Sequence, residues 1–121
     1  MILADASVWI EHLRSGRGRL AALLENGAVL GHPSVTGELA LGNLRDRHEV
    51  LRLLGRLPQA TVATDDEVLR VIDDEVLHGA GIGYVDAQLL AASRLTPDAR
   101  LWTGDRRLSS VAARVGVAFQ P

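Results

Sequence analysis

Short apolar runs alternate along this chain with segments whose apolar residues recur every three or four positions, and this alternation narrows the range of possible folds. The short runs are typical of buried strands, and the periodic segments are typical of amphipathic helices. Strands that alternate with helices favour a parallel sheet, because a parallel neighbour is reached through a crossover connection. We therefore predict an α/β protein with strands at residues 2–4, 28–31, 60–63, 100–103 and 117–119.

Start and stop signals set the expected limits of the helices. Thr64 and Glu67 match a capping box that opens one helix. Pro33 favours the start of another helix, which puts Glu38 in or near a first turn. Pro58 ends a third helix, since proline cannot continue the hydrogen-bond ladder. The predicted helices are residues 7–13, 19–25, a segment that begins at 33–34, 47–57, 64–76, 84–95 and 105–114.

Length and composition predict a single domain over residues 1–121. An apolar content of 47% allows a real core, but 121 residues are too few for two cores. The apolar stretches are far shorter than a bilayer span, and the N-terminus lacks the basic region of a signal peptide. Cysteine is absent, which suits a reducing compartment. We expect a soluble cytoplasmic protein.

The charged residues exclude several functional classes. A net charge of −2 argues against the broad basic surface that binds duplex DNA. All 13 basic residues are arginine, so no mechanism that needs a lysine can operate. The four histidines lack the H-x-x-x-H spacing of metal ligands, and we interpret them as surface or packing residues.

Acidic side chains stand where apolar runs end or turn into helices. Asp5 follows the run at residues 2–4, and Asp105 follows the run at residues 101–103 after one glycine. Asp86 and Glu38 lie near the starts of predicted helices. Because the carboxyl ends of parallel strands border a ligand-binding crevice, we expect these acids to share one site.

Carboxylates that share a crevice repel one another unless they share protons or bind cations. Oxygen-only ligands suit Mg²⁺ or Mn²⁺, and the chemistry that follows is hydrolysis of phosphodiester bonds. Asp5 and Asp86 are the candidates for direct metal ligands. Asp105 and Glu38 would complete the metal site directly or through water.

Neighbouring polar residues could support such a site. Ser7 is two residues after Asp5, and Thr103 is two residues before Asp105, so either hydroxyl could hydrogen-bond a ligand carboxylate or orient a water. Arg106 and Arg107 follow Asp105 closely enough to meet a phosphate group, although both positions also suit a solvated helix face.

Four segments together resemble the successive motifs of PIN-domain nucleases. They are MILADASVWIEHLR, SVTGELALG, GYVDAQLLAAS and LWTGDRRLSSVAARVGV, and they carry Asp5, Glu38, Asp86 and Asp105 in that order. The short, single-domain form resembles the VapC toxins of bacterial toxin–antitoxin pairs. No one motif is specific, but the ordered set of four is.

This resemblance implies a fold, an activity and partners. The fold would be a three-layer α/β/α sandwich with a central parallel sheet and an acidic metal pocket. The activity would be that of a metal-dependent endoribonuclease toxin that forms homodimers. A VapB-like antitoxin would inhibit it by placing an arginine or another group in the acidic pocket, which the charges of that pocket favour.

Two other functions are compatible with an acid-edged α/β fold. A receiver-like regulatory domain needs a lysine, and this chain has none. A catalytically inactive PIN-like module that only binds protein would not need all four acids, and a metal titration separates it from a nuclease. The remaining acids at residues 65–67 and 73–75 are interpreted as helix capping and a solvated face.

Overall fold

A parallel three-stranded sheet forms the centre of the structure, a computed structural model that describes residues 1–121. The strands are β1 (Ile2–Ala4), β2 (Val29–Leu30) and β3 (Arg100–Trp102). The helices are α1 (Ala6–Ser15), α2 (Arg19–Glu25), α3 (Pro33–Ala40), α4 (Arg47–Arg56), α5 (Asp65–Asp74), α6 (Tyr84–Leu95) and α7 (Arg106–Arg114). The predicted three-layer α/β/α architecture with a central parallel sheet is confirmed.

Strand β1 is the central strand, because the sheet order is β2-β1-β3. Ile2 pairs with Val29 on one side and with Arg100 on the other. The chain therefore leaves β1 toward one neighbour and later returns to its other side. In open parallel sheets this change of direction opens a crevice at the carboxyl ends of the strands. Asp5 is the first residue after β1 and lies at that edge.

Two predicted strands contribute only single bridges to the sheet. Next to the segment expected at residues 60–63, Gln59 forms one bridge with Gly31. The N–H of Thr61 then donates to the hydroxyl of Thr96 and not to a neighbouring strand. The segment expected at residues 117–119 pairs only through Ala118, with Leu101. Both predictions were wrong in extent, and in the first segment a side-chain acceptor takes the N–H that would continue the ladder.

Two helix limits also differ from the prediction. Helix α3 starts at Pro33, so Glu38 lies in its second turn and not in the first. Helix α5 ends at Asp74, and Val76 lies outside it with a φ of 54°. The capping box of Thr64 and Glu67 is confirmed, with both reciprocal hydrogen bonds present.

The main core is a cluster of 22 buried residues drawn from the strands and from the inner faces of the helices. Helix α6 is its most buried helix, since six of its residues are buried. Leu3 on β1 and Leu90 on α6 are both fully buried. The start of α6, which carries Asp86, is therefore anchored by the packing of its own helix. No helix has the length and apolar character that a membrane span requires.

Two adjacent leucines on α4 test this core. Leu54 is 1% exposed and Leu53 is 40% exposed. We expect Leu54→Ala to lower the free energy of unfolding by about 2–5 kcal/mol, because it leaves a cavity. Leu53→Ala is the matched control and should cost about 1 kcal/mol or less. Urea denaturation measures both, and equal losses would contradict the assignment of Leu54 to the core.

Candidate active site

An acidic cleft with a volume of about 410 Å³ lies at the carboxyl end of β1. Three of the four predicted acids line it, namely Asp5, Glu38 and Asp86. Asp105, which follows β3, is not part of this lining but acts on it electrostatically. The other lining residues are Ala6, Ser7, Val35, Gly83, Tyr84, Val85 and Leu89.

Asp5 is a buried carboxylate that accepts three hydrogen bonds. Its Oδ1 accepts from the N–H of Val8, which caps α1, and from the hydroxyl of Ser7 at 2.5 Å. Its Oδ2 accepts from the hydroxyl of Thr103. Only 7% of Asp5 is exposed, so these donors replace the water that the charged group has lost. The carboxylate is fixed in orientation at the edge of the sheet.

Backbone N–H groups orient the two hydroxyls that meet Asp5. The N–H of Gly104 donates to Ser7 Oγ at 2.9 Å, and the N–H of Asp105 donates to Thr103 Oγ1 at 3.0 Å. Each hydroxyl thus accepts from the chain after β3 and donates its own hydrogen to Asp5. This network joins the ends of β1 and β3 into one polar unit.

Asp86 carries the clearest electrostatic evidence that the four acids act on one place. It is the third residue of α6 and accepts from the N–H of Gly83 at 3.2 Å. Loss of solvent raises its pKa, the Gly83 hydrogen bond partly offsets that rise, and the charges of three other carboxylates raise the pKa further. Those carboxylates are Asp105, Asp5 and Glu38, in decreasing order of effect.

Helix α3 brings Glu38 to the cleft through an unusual cap. The Nδ1 atom of buried His32 accepts from the N–H of Ser34 at 3.0 Å, and burial lowers the pKa of His32. The hydroxyl of Ser34 in turn donates to Gln88 Oε1 at 2.8 Å. Since Gln88 is two residues after Asp86, this bond ties the helix of one acid to the helix of another. Glu38 itself is exposed at the cleft.

Asp105 is exposed and caps α7 by accepting from the N–H of Leu108 at 2.9 Å. Arg106 and Arg107 are the first two residues of that helix and are also exposed. Arg107 extends over Gly81, where an added Cβ would lie 2.9 Å from a guanidinium nitrogen. Arg106 takes part in none of the three ion pairs of the chain. Its guanidinium is available to an anion.

Tyr84 is a cleft residue that the sequence did not reveal. It is 44% exposed and lines the cleft. Its hydroxyl donates to Asp65 at 2.8 Å, and this bond is the main reason that the pKa of Tyr84 is raised. Its place at the start of α6, two residues before Asp86, was the available signal.

The donors of this site suit a hydrated divalent cation better than a dry protein cage. No three acidic or histidine side chains are placed so that they could hold a metal ion together. Asp5, Asp86 and Asp105 each have an oxygen engaged in capping a helix start, which limits how far they converge. Mg²⁺ commonly keeps several waters and binds through one or two carboxylates, so such an arrangement can hold it. Loss of solvent is the main reason that the pKa of Asp86 is raised, and the nearby carboxylates raise it further; a cation would relieve this second effect.

The sheet, its acidic edge and the order of the acids define a PIN domain, and the chain belongs to the PIN domain family, whose sequence model matches residues 2–114. Within this family the chain is similar to Ribonuclease VapC32 of Mycobacterium tuberculosis, in strains CDC 1551 / Oshkosh and ATCC 25618 / H37Rv. The identity is 51% over 119 residues, which cover 98% of this chain and 96% of each relative. The predicted resemblance to VapC-type PIN domains is confirmed.

The shifted pKa of Asp86 predicts how this residue affects stability without metal. Because the pKa of Asp86 is higher in the folded chain than in the unfolded chain, the unfolded chain loses the Asp86 proton at lower pH. The free energy of unfolding therefore falls as the pH rises from the unfolded-state pKa to the folded-state pKa. Above the interval the carboxylate destabilises the fold. We expect Asp86→Asn to raise the melting temperature by a few degrees near neutral pH and to leave it unchanged near pH 3, below both pKa values.

Asp66→Asn is the matched control for that measurement. Asp66 is also an acid in the first turn of a helix, but it is exposed and lines no part of the cleft. Its removal should leave the melting temperature unchanged or lower it, because an acid favours a helix N-terminus. A drop in melting temperature for Asp86→Asn at neutral pH in EDTA would contradict the expectation that the charged carboxylate of Asp86 destabilises the fold.

Proposed function

We propose that this chain is a Mg²⁺-dependent endoribonuclease, the toxin component of a toxin–antitoxin pair, which hydrolyses RNA phosphodiester bonds. The observation that carries the proposal is the convergence of Asp5, Glu38 and Asp86 on one cleft, since acids that repel one another in a cleft suit a cation. The similarity to proteins named ribonuclease supports RNA as the substrate.

The acids have unequal roles in this proposal. Asp5 and Asp86 bind the cation directly, because both line the cleft and both are fixed by hydrogen bonds to backbone N–H groups. Asp105 and Glu38 are exposed and complete the metal site directly or through waters. Mn²⁺ can replace Mg²⁺, because both prefer oxygen ligands.

The other residues of the site position groups for the reaction. A bound divalent cation lowers the pKa of a water nucleophile and stabilises charge on the phosphate. Ser7 and Thr103 hold Asp5 in one orientation by donating to both of its oxygens. Arg106 lies directly after Asp105 with a free guanidinium, which can bind a non-bridging phosphate oxygen.

Partners follow from the same proposal. We expect a VapB-like antitoxin to cover the acidic cleft and the active form to be a homodimer. Exposed apolar side chains support association with protein, above all Leu41, which is 90% exposed.

Co-expression with the product of the adjacent upstream reading frame tests the pairing. We expect the two proteins to purify together and the complex to be inactive on RNA, because the antitoxin occupies the cleft. Light scattering of the isolated chain should give twice its mass of 13.0 kDa. A monomer that the upstream product neither binds nor inhibits would contradict both partner proposals.

Cleavage assays test the enzyme. We expect purified protein to cut RNA with Mg²⁺ and not with EDTA. Asp5→Asn and Asp86→Asn should each lower kcat/KM by about 100-fold or more, because each removes charge that binds the cation. Thr103→Val should lower it by about 10-fold or more, because it frees Asp5 to rotate, whereas Thr103→Ser keeps the hydroxyl and should lose less.

The control for these variants is Asp66→Asn, which should keep full activity. Cleavage that survives both EDTA and Asp5→Asn would rule the mechanism out. A calorimetric titration that detects no Mg²⁺ or Mn²⁺ binding would favour the catalytically inactive, protein-binding alternative.

A further inference from the structure

A second pocket lies next to the acidic cleft and shares Ser7 with it. It has a volume of about 280 Å³ and lies between α1, the start of α2 and the chain after β3. The side chains relevant to binding are Ser7, Arg17, Arg19 and Trp102. A polymer bound in the acidic cleft therefore has an adjoining cavity into which it can continue.

The chemical character of this pocket is opposite to that of the cleft. Arg17 and Arg19 are exposed and take part in none of the three ion pairs. Glu11 is the single acid in the lining, and its carboxylate lies 3.5 Å from the guanidinium of Arg14. The pocket thus offers two free positive charges beside a cleft that would repel a polyanion.

The guanidinium of Arg19 packs over an aromatic ring, which restricts its position. The guanidinium carbon of Arg19 lies 5.7 Å from the centroid of the Phe119 ring. Phe119 packs against Trp102 with 5.3 Å between ring centroids. A cation over a ring face keeps its N–H groups free for an anion while its position is fixed. Trp102 is half-buried and adds a flat surface to the pocket wall.

We propose that this pocket binds one nucleotide of single-stranded RNA next to the bond that is cut. Arg17 and Arg19 bind its phosphate, and the indole of Trp102 contacts its base. The pocket volume lies just below the range of about 300–1,000 Å³ for small-molecule sites, which suits one nucleotide and no more. Positive groups beside an aromatic ring are the usual combination for single-stranded nucleic acids. The assignment rests on the proposed RNA substrate and adds where that substrate is held.

RNA binding by the full-length chain tests the pocket. The probe is a labelled single-stranded RNA of about eight nucleotides, followed by anisotropy in EDTA so that it stays intact. We expect the double variant Arg17→Ala/Arg19→Ala to bind about 10-fold more weakly or worse. The slope of log affinity against log salt should fall by about 0.7 for each arginine removed. Arg17→Lys/Arg19→Lys keeps both charges and should restore most of the slope.

The matched control is Arg56→Ala/Arg70→Ala. Both of these arginines are exposed, neither is in an ion pair and neither lines either cavity. This control should bind RNA within about 2-fold of the unmodified chain, and equal weakening by the two double variants would overturn the assignment. Melting temperatures of both variants verify the fold.

Tryptophan fluorescence reports on the base contact. Trp9 is buried and Trp102 is half-buried at the pocket, so we expect RNA to quench the emission of Trp102. Trp102→Phe should abolish this quenching while anisotropy still detects binding, because a ring remains. Quenching that persists in Trp102→Phe would overturn the base contact.

Steady-state kinetics in Mg²⁺ separate this assignment from the proposed function. A chain that binds RNA through Arg17 and Arg19 but never cleaves it leaves the pocket standing and refutes the enzyme. A chain whose Arg17→Ala/Arg19→Ala variant cleaves RNA with unchanged KM leaves the enzyme standing and refutes the pocket. Loss of binding to the upstream antitoxin, with RNA affinity intact, would assign the pocket to a protein partner and overturn the RNA assignment.

Discussion

The burial of Asp5 at the end of the central strand is the constraint on which the rest of the site depends. A charged group with 7% exposure is tolerable only if donors replace its lost water, and here they come from two different strand ends. The same hydrogen bonds that stabilise the charge therefore also link the ends of β1 and β3. Fold and site are stabilised by one network, and a change to either strand end affects both.

Helix capping explains why three of the four acids occupy positions that also favour the fold locally. Asp5 and Asp105 are N-caps, and Asp86 accepts a hydrogen bond from the N–H of Gly83, the N-cap residue of its helix. An acid at a helix start interacts favourably with the helix dipole, which offsets part of the repulsion among the carboxylates. Glu38 has no such role in its helix and is exposed.

Much of this arrangement could be predicted from local sequence, and the remainder depends on contacts between distant segments. The apolar run before Asp5 and the turn after Trp102 identified two parallel strand ends, so a shared crevice followed. The hydrogen bond from Tyr84 to Asp65 could not be predicted, because the two residues are 19 positions apart and the local sequence around each one gives no sign of the other. The segment at residues 60–63 does not continue as a strand, because the hydroxyl of Thr96, just after the end of α6, accepts from the N–H of Thr61.

The bond from Thr103 to Asp5 spans 98 positions of sequence. During synthesis β1 is made before β3. Asp5 is therefore synthesised 98 residues before Thr103, whose hydroxyl fixes its carboxylate. A chain that stops before β3 lacks both this hydrogen bond and Asp105. The topology of the sheet therefore makes the orientation of Asp5 depend on the last of the three strands to be synthesised.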